Sequence, residues 1–254
     1  MSETTDTAAR ALACLDLTNL DESCDDAAVR TLCRRALTPH GPVAAVCVWP
    51  RFVSAAKAVL EGSAVRVAAV VNFPHGTQPA GEVAAEAGAT FDAGADEIDM
   101  VVPYAALAGE RAGVIAESVA VVRKAVPGAG LKAILETGEL KEPALIHTAA
   151  CEAIEGGADF IKTSTGKVAV NATPEAAKIM LDAIRTAGRP VGLKPSGGIR
   201  TAADAAAYIA LADAVMGHGW AAPARFRIGA SGVLEDILAI ISGSDRTGAQ
   251  GKEY

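Results

Sequence analysis

Four charged residues recur at nearly equal intervals through the middle of the chain. They are Asp99, Lys132, Lys162 and Lys194, at intervals of 33, 30 and 32 residues. One strand–helix unit of an α/β protein takes about 30 residues, so this spacing predicts equivalent positions on four consecutive strands, near their carboxyl ends. Cys47 follows Asp16 by 31 residues and extends the pattern to the first two strands. We therefore expect one polar ring at one end of a sheet.

Three lysines beside a carboxylate suit the formation of an imine, the covalent link between an amine and a carbonyl carbon. An amine attacks a carbonyl only when it is neutral, and a second ammonium group nearby disfavours the charged form. Lys162 and Lys194, on adjacent predicted strands, fit the roles of nucleophile and neighbouring ammonium. Asp99 is placed to relay protons, and Lys132 to assist that relay or keep Asp99 ionised. The alternative is an ion network that only stabilises the core. Three lysines beside a carboxylate at one level favour a functional site over that alternative.

Two loops rich in small residues follow the last two predicted strands and indicate a phosphate site. The first loop contains Gly197 and Gly198, and the second contains Gly229 and Ser231. Glycine lets backbone N–H groups approach an oxyanion, and the helix after each loop adds a favourable dipole. In α/β barrels these are the loops that often hold phosphate.

A third loop, directly after Lys162, adds polar groups to the same pocket. Thr165 offers a hydroxyl group, Gly166 a backbone N–H group, and Lys167 a cation near the phosphate. The run superficially resembles a nucleotide-binding P-loop, but the spacing of its glycine and lysine does not fit one.

Short apolar segments alternate with longer, alanine-rich amphipathic segments along almost the whole chain. Eight strands alternating with eight helices predict a parallel sheet. The number eight favours a closed (β/α)8 TIM barrel over an open doubly wound sheet, and no GxGxxG motif follows the first strand. The predicted strands are Leu12–Leu17, Val43–Trp49, Val65–Asn72, Glu97–Val101, Leu131–Glu136, Phe160–Thr163, Val191–Lys194 and Arg227–Gly229.

A single domain is predicted over residues 1–254. The length of 254 residues is close to the roughly 250 of one α/β barrel, and no linker interrupts the pattern. Residues 1–10 are expected to form a short lead-in helix. Residues 242–254 are polar and rich in glycine, which predicts a flexible tail.

The composition limits the partners and the compartment. A net charge of −7 argues against nucleic acid and anionic membranes, so any phosphate must be held by a local site. No apolar run approaches the roughly 18 residues of a membrane span, and the first ten residues lack a signal peptide. The 5 cysteines form no CxxC pair, which argues against disulfides and zinc. We expect a cytoplasmic protein with a small-molecule substrate and no metal.

Several motifs closely resemble those of the deoxyribose-phosphate aldolases. The run GADFIKTSTGK at 157–167 resembles the Schiff-base segment of that family. Other motifs that resemble the family are LDLT at 15–18, NFPHG at 72–76, GADEID at 94–99, ETGEL at 136–140, and the segments 167–174 and 194–200. The similarity extends from about Ala11 to Tyr254, and the motifs together are highly specific.

This resemblance implies a class I aldolase that needs no metal or other cofactor. It would reversibly cleave 2-deoxy-D-ribose 5-phosphate to D-glyceraldehyde 3-phosphate and acetaldehyde, in deoxyribonucleoside catabolism, and the family commonly forms homodimers. By position, Lys162 resembles the Schiff-base lysine, Lys194 its cationic partner and Asp99 the acid and base. Asp16 and Lys132 resemble the supporting polar network around the substrate hydroxyl.

The resemblance also implies residues that contact the substrate. Thr18 and Cys47 resemble residues of the pocket wall. The residues that match phosphate-loop positions are Gly166, Gly197, Gly198, Gly229 and Ser231. The C-terminal Tyr254 resembles a tail tyrosine that in this family is thought to fold over the site and assist proton transfer; a disordered end is the alternative.

Two positions depart from the pattern of some family members. Gly232 follows Ser231 where some bacterial members have a second serine, which removes one hydroxyl from the phosphate loop. Leu193 stands where some members have phenylalanine, which alters the pocket wall. Two other functions stay open: another lysine-dependent reaction on the same barrel, such as a transaldolase-like transfer, and non-catalytic binding of a phosphosugar.

Overall fold

The structure, a computed structural model, describes residues 3–109 and 111–243. Tyr254 and most of the predicted tail lie outside these residues. In the described part, eight parallel strands form one sheet in chain order, with the last strand beside the first. We label these strands β1 to β8: Leu15–Thr18, Ala45–Val48, Arg66–Val71, Glu97–Val101, Gly130–Ile134, Phe160–Lys162, Gly192–Lys194 and Ile228–Ala230.

The sheet closes into a barrel at the junction of β7 and β8. There the backbone N–H of Arg227 donates to the carbonyl of Leu193 at 3.0 Å, and Gly229 donates to Pro195 at 2.9 Å. These bonds continue the parallel ladder around the last gap. The predicted (β/α)8 barrel is therefore confirmed, and the open doubly wound sheet is wrong.

Helices alternate with these strands. The α-helices of the described residues are α1 to α11: Glu3–Ala13, Asp26–Arg35, Val53–Val59, Ala80–Asp92, Tyr104–Ala108, Val114–Ala125, Thr137–Leu140, Pro143–Glu155, Pro174–Thr186, Ala202–Met216 and Leu234–Ser242. A short 3-10 helix, Pro50–Phe52, precedes α3. None of these helices has both the length and the hydropathy that crossing a bilayer requires.

The lead-in helix is longer than the sequence predicts. Helix α1 extends to Ala13 because Ala8, Ala11 and Leu12, spaced at helical intervals, bury one face. The predicted first strand, which began at Leu12, therefore starts too early.

Three short elements escaped prediction altogether. They are a hairpin that joins Leu37–Thr38 to Gly41–Pro42, and the helices α5 and α7. Each is too short to contain a full hydrophobic repeat, so periodicity in the sequence cannot reveal it.

The side chains of a strand alternate between its two faces, and this separates the hydrophobic core from the charged site. Ile98 and Met100 on β4 belong to the main hydrophobic core, whereas Glu97 and Asp99 bond to cations inside the barrel. Successive side chains of a strand point to opposite faces, so one strand serves both purposes. On β4 the side chains that face the barrel interior are thus charged, while those on the opposite face are apolar.

A capping box sets the start of α10, directly after the glycine-rich loop that follows β7. The hydroxyl of Thr201 accepts the N–H of Asp204 at 3.1 Å, and the Asp204 carboxylate accepts the N–H of Thr201 at 2.9 Å. This reciprocal pair satisfies free donors of the helix N-terminus. The loop is thereby held at the carboxyl end of the barrel.

Candidate active site

Asp99, in the middle of β4, joins all three predicted lysines. Its Oδ1 accepts a hydrogen bond from Lys132 Nζ at 2.7 Å. Its Oδ2 accepts from Lys162 Nζ at 2.9 Å and from Lys194 Nζ at 2.8 Å. The structure therefore brings together the four residues whose spacing predicted a shared site.

The four residues do not lie at one level of the sheet, which corrects the expectation of a single ring. Asp99 pairs in register with Lys132, and Lys162 pairs with Lys194. Between β5 and β6, however, Lys162 pairs with Ile134, two residues beyond Lys132. Strands of a closed barrel are staggered, and the long lysine side chains span this offset. Only Lys162 and Lys194 end their strands; the other two are mid-strand.

Asp16, also predicted, extends the charged cluster to a buried arginine. Its Oδ2 accepts from Lys194 Nζ at 2.5 Å, and its Oδ1 accepts from Arg227 Nη1 at 2.7 Å. Glu97 accepts from Arg227 Nη2 at 2.7 Å and from Lys132 Nζ at 2.5 Å. Each carboxylate of the cluster thus bridges two or more cations.

Sequence reasoning missed Glu97 and Arg227 as members of this site. One signal could have revealed them, because side chains two residues apart on a strand point to the same face. Glu97 lies two residues before Asp99, and Arg227 lies two residues before Gly229, so each shares the inward face of a residue that was predicted.

The cluster holds four buried cations and three buried carboxylates: Lys132, Lys162, Lys194, Arg227, Asp16, Glu97 and Asp99. Burial alone would raise the pKa of Asp99, but the ammonium groups outweigh it and hold that pKa well below its usual range. Burial alone would lower the pKa of Lys194, but Asp16 and Asp99 outweigh it and raise that pKa. Asp99 is therefore an anion at neutral pH, and Lys194 is a cation.

A cavity of about 470 Å³ lies at the carboxyl ends of the strands. Among the described members of the charged cluster, only Lys162 lines it. Lys132 and Lys194 are completely buried. A ligand in this cavity can therefore reach one amine of the three. The other predicted residues that line the cavity are Thr18, Thr165, Gly166, Lys167, Gly197, Gly198, Gly229 and Ser231.

Three glycines of the cavity wall are required by geometry. Gly197 and Gly198 both have φ of +80°, a left-handed conformation that disfavours other residues. A Cβ at Gly197 would also lie 2.7 Å from Asn171 Oδ1. A Cβ at Gly229 would lie 3.1 Å from Lys194 Cε, so this glycine also makes room for the lysine. That second role was not predicted.

Two predicted pocket residues differ in their placement. Thr18 lines the cavity, and its hydroxyl donates to the carbonyl of Asp16 at 2.9 Å. Cys47 does not line it, which corrects the prediction of a wall residue. Its side chain is completely buried in a small apolar cluster with Leu20 and Val70, and its Sγ lies 4.0 Å from Asp99 Oδ2. Burial raises the pKa of the thiol.

A closed parallel barrel, in which one lysine of a buried charged cluster lines a cavity beneath glycine-rich loops, defines an α/β-barrel enzyme whose active site lies at the carboxyl ends of its strands. Residues 10–234 match the sequence model of the DeoC/LacD family aldolases. The chain belongs to that family.

Three relatives illustrate the similarity. A deoxyribose-phosphate aldolase of Agrobacterium fabrum (strain C58) is 52% identical over 240 residues, which cover 94% of this chain and 93% of the relative. A proposed deoxyribose-phosphate aldolase from Toxoplasma gondii ME49 is 28% identical, with a TM-score of 0.87 over 96% of this chain and 99% of that one. The tetrameric deoxyribose phosphate aldolase from Aeropyrum pernix is 25% identical, with a TM-score of 0.75 over 95% and 94% of the two chains.

Proposed function

We propose that this aldolase reversibly cleaves 2-deoxy-D-ribose 5-phosphate to D-glyceraldehyde 3-phosphate and acetaldehyde through an imine on Lys162. The similarity to the Agrobacterium fabrum enzyme supports the substrate. The observation that carries the mechanism is the position of Lys162. Its amine lines the cavity and bonds to Asp99, whereas the other two lysines of the cluster are sealed from ligands.

The chemistry begins when the neutral amine of Lys162 attacks the C1 aldehyde of the open-chain sugar. Asp99 transfers protons within the resulting carbinolamine, which loses water to give a protonated imine. Asp99 and its polar network of Asp16 and Lys132 accept the proton of the C3 hydroxyl, and the C2–C3 bond breaks. Its electron pair moves into the imine and forms an enamine, and glyceraldehyde 3-phosphate leaves. Protonation of the enamine and hydrolysis release acetaldehyde and restore Lys162.

The charge balance of the cluster favours a neutral nucleophile. With every group ionised, the four cations exceed the three carboxylates by one unit. With a neutral amine at Lys162 the buried cluster carries no net charge, which reduces the cost of burying it. Lys194 and Lys132 keep their protons because carboxylates surround them. Asp16 and Lys132 act as the supporting network that keeps this arrangement in place.

The other end of the cavity is suited to the phosphate group. Gly166, Lys167, Gly197, Gly198, Gly229 and Ser231 are the proposed phosphate contacts, and Thr165 is the proposed substrate-site residue that lines the cavity beside them. Backbone N–H groups of glycine loops at helix N-termini bind oxyanions without a large positive field, as an acidic chain requires. Thr18 is the proposed wall residue. A role for Tyr254 stays a prediction, since that residue lies outside the described part of the chain.

We also propose that one barrel domain spans the chain and that it works as a homodimer in the cytoplasm. The relative from Aeropyrum pernix forms a tetramer, which supports the expectation that this chain also self-associates. The five cysteines are all unpaired, which fits a reducing compartment. Light scattering of the purified protein measures the oligomeric state directly.

Borohydride trapping tests the proposal. The protein is incubated with deoxyribose 5-phosphate, reduced with borohydride, digested and mapped by mass spectrometry, while released acetaldehyde is quantified. We expect one reduced adduct, on Lys162, together with acetaldehyde release. A trapped adduct with a different released product would support a transaldolase-like transfer instead. Binding of the phosphosugar without any adduct would show a non-catalytic binding protein.

A further inference from the structure

Glu136 is a buried carboxylate for which the proposed chemistry has no use. It follows β5 and is completely buried. Among the described residues, no lysine, arginine or histidine side chain lies within ion-pair distance of it. Its partner is Thr165, on the loop after β6. The Thr165 backbone N–H donates to Glu136 Oε1 at 3.2 Å, and the Thr165 hydroxyl donates to Oε2 at 2.6 Å.

The hydrogen bonds continue from Thr165 to the cavity wall. The backbone N–H of Lys167 donates to the Thr165 hydroxyl oxygen at 3.0 Å. Because a hydroxyl group has a single hydrogen, this one is directed to Glu136. The turn 165–167 is thereby tied at two points to one carboxylate. Thr165, Gly166 and Lys167 all line the cavity, and the Lys167 amine donates to the carbonyl of Leu20 at 2.9 Å.

This arrangement costs free energy. Glu136 has φ of +55°, and a residue other than glycine is strained in that left-handed region. Burial raises the pKa of Glu136 even though the hydrogen bonds from Thr165 and the charge of Lys162 act in the opposite direction. A strained backbone and a poorly compensated buried charge at one residue are typical of a functional position.

We propose that Glu136 is a positioning residue for anion binding, whose carboxylate holds the turn 165–167 in the conformation that binds the phosphate group. The proposal rests on the proposed function for the identity of that phosphate. Glu136 does not line the cavity, so it acts through Thr165 and not on the substrate itself. The intervening threonine also keeps its negative charge away from the bound anion.

The variants Glu136→Gln and Glu136→Ala test this role, with Glu139→Gln as the matched control. Glu139 lies three residues further on, in the short helix α7 that begins directly after Glu136, but its side chain is exposed. The first measurement is the ratio of kcat/KM for deoxyribose 5-phosphate to kcat/KM for unphosphorylated 2-deoxyribose. We expect Glu136→Ala to lower this ratio about tenfold, mainly through KM for the phosphosugar. Glu136→Gln keeps an acceptor for the hydroxyl and should lie between that variant and the wild type.

A second measurement separates this inference from the proposed function. Inorganic phosphate is titrated into each protein by calorimetry, which needs no turnover. We expect a dissociation constant about tenfold larger for Glu136→Ala and an unchanged one for Glu139→Gln. If the wild type forms no adduct on Lys162 but this difference persists, the proposed function fails and the inference stands.

The inference is overturned if Glu136→Gln and Glu136→Ala bind phosphate as the wild type does. It is also overturned if kcat falls equally for both sugars, because Glu136 would then serve the chemistry or the fold. Thermal unfolding gives an independent check. We expect Glu136→Gln to be at least as stable as the wild type at neutral pH, since a buried amide costs less than a buried carboxylate. If Glu136→Ala fails to fold, Glu136→Gln decides the question.

Discussion

The floor and the rim of the cavity are built in different ways. The floor is the charged cluster, in which side chains on β1 and on β4 to β7 join with the buried Arg227 at distances of 2.5 to 3.1 Å. Of these groups, only Lys162 lines the cavity. The rim consists of loops, and its contacts to a ligand would come mostly from backbone N–H groups. Covalent chemistry needs one group at a defined position, which strands supply. Anion binding needs several converging dipoles, which loops and helix N-termini supply.

The two regions also respond differently to substitution. Every group of the floor except Lys162 has two or more charged partners, so removal of one group leaves others buried without compensation. The rim depends on backbone conformation, so the replacement of a glycine matters more there than the loss of one hydroxyl. The five predictions below test this difference.

Replacement of Lys162 should have the largest effect. Lys162→Ala removes the amine that lines the cavity, and no other lysine of the floor is accessible. We expect cleavage of deoxyribose 5-phosphate to fall by about 10³-fold or more, with no borohydride adduct and an unchanged circular dichroism spectrum. Lys178→Ala, at an exposed position on α9, is the control. Retention of an adduct in Lys162→Ala would assign the nucleophile to another lysine.

Lys194→Leu removes the cation that bonds to both Asp16 and Asp99. The remaining positive charge near Lys162 is smaller, and a neighbouring cation is what disfavours the charged form of an amine. We expect kcat/KM to fall by roughly 10²-fold and the acidic limb of the pH–rate profile to move toward alkaline pH. The exposed Lys124→Leu should retain the wild-type profile. An unmoved acidic limb in Lys194→Leu would show that Lys194 does not favour the neutral nucleophile.

Acid should reduce the stability that the charged cluster of the floor gives to the fold. The pKa of Asp99 is lowered in the folded state, so its stabilisation is present above its unfolded pKa of about 4 and is lost as the pH falls. We expect Asp99→Asn to reduce the free energy of unfolding by about 3 kcal/mol at pH 7. The gap to the wild type should narrow at pH 3, as urea unfolding would measure. A gap that is equal at both values would contradict an ionised, stabilising Asp99.

Two glycine variants compare positions on the rim that share a backbone conformation. Gly197 and Gly198 have the same φ, but a Cβ at Gly197 would collide with Asn171, whereas a Cβ at Gly198 would meet no atom within 4 Å. We expect Gly197→Ala to raise KM for the phosphosugar about tenfold and Gly198→Ala about threefold. Equal effects would show that strain in φ, and not the contact with Asn171, governs the loop.

The smallest effect is expected for Ser231→Ala. It removes one hydroxyl from the rim but leaves the backbone N–H groups unchanged, and Gly232 beside it has no hydroxyl to lose. We expect KM for the phosphosugar to rise about threefold with kcat unchanged. Ser54→Ala, at an exposed position on α3, is the control. A loss as large as that of Gly197→Ala would mean that side chains carry the phosphate binding.

Prediction from the sequence was most successful where long repeats carry the information. Eight apolar segments with amphipathic helices between them predict the barrel, and the regular interval of the lysines and Asp99 predicts their convergence. Prediction was least successful for short helices and strands, and for residues that face the barrel interior but do not recur at the interval of the lysines. Glu97 and Arg227 were missed because each begins a predicted strand, where a charged residue is ordinarily taken as exposed.

The sequence by itself determined that Asp99 and the three lysines meet inside the barrel, because residues at an interval of one strand–helix unit lie on neighbouring strands. Only the tertiary structure decided which lysine a ligand can reach. The three lysines recur at nearly the same interval, so the sequence does not distinguish them. Their exposure depends on the stagger of the strands and the packing of the loops, which bring together residues that are far apart in the chain. The same holds for Glu136, whose partner Thr165 lies 29 residues away on another loop.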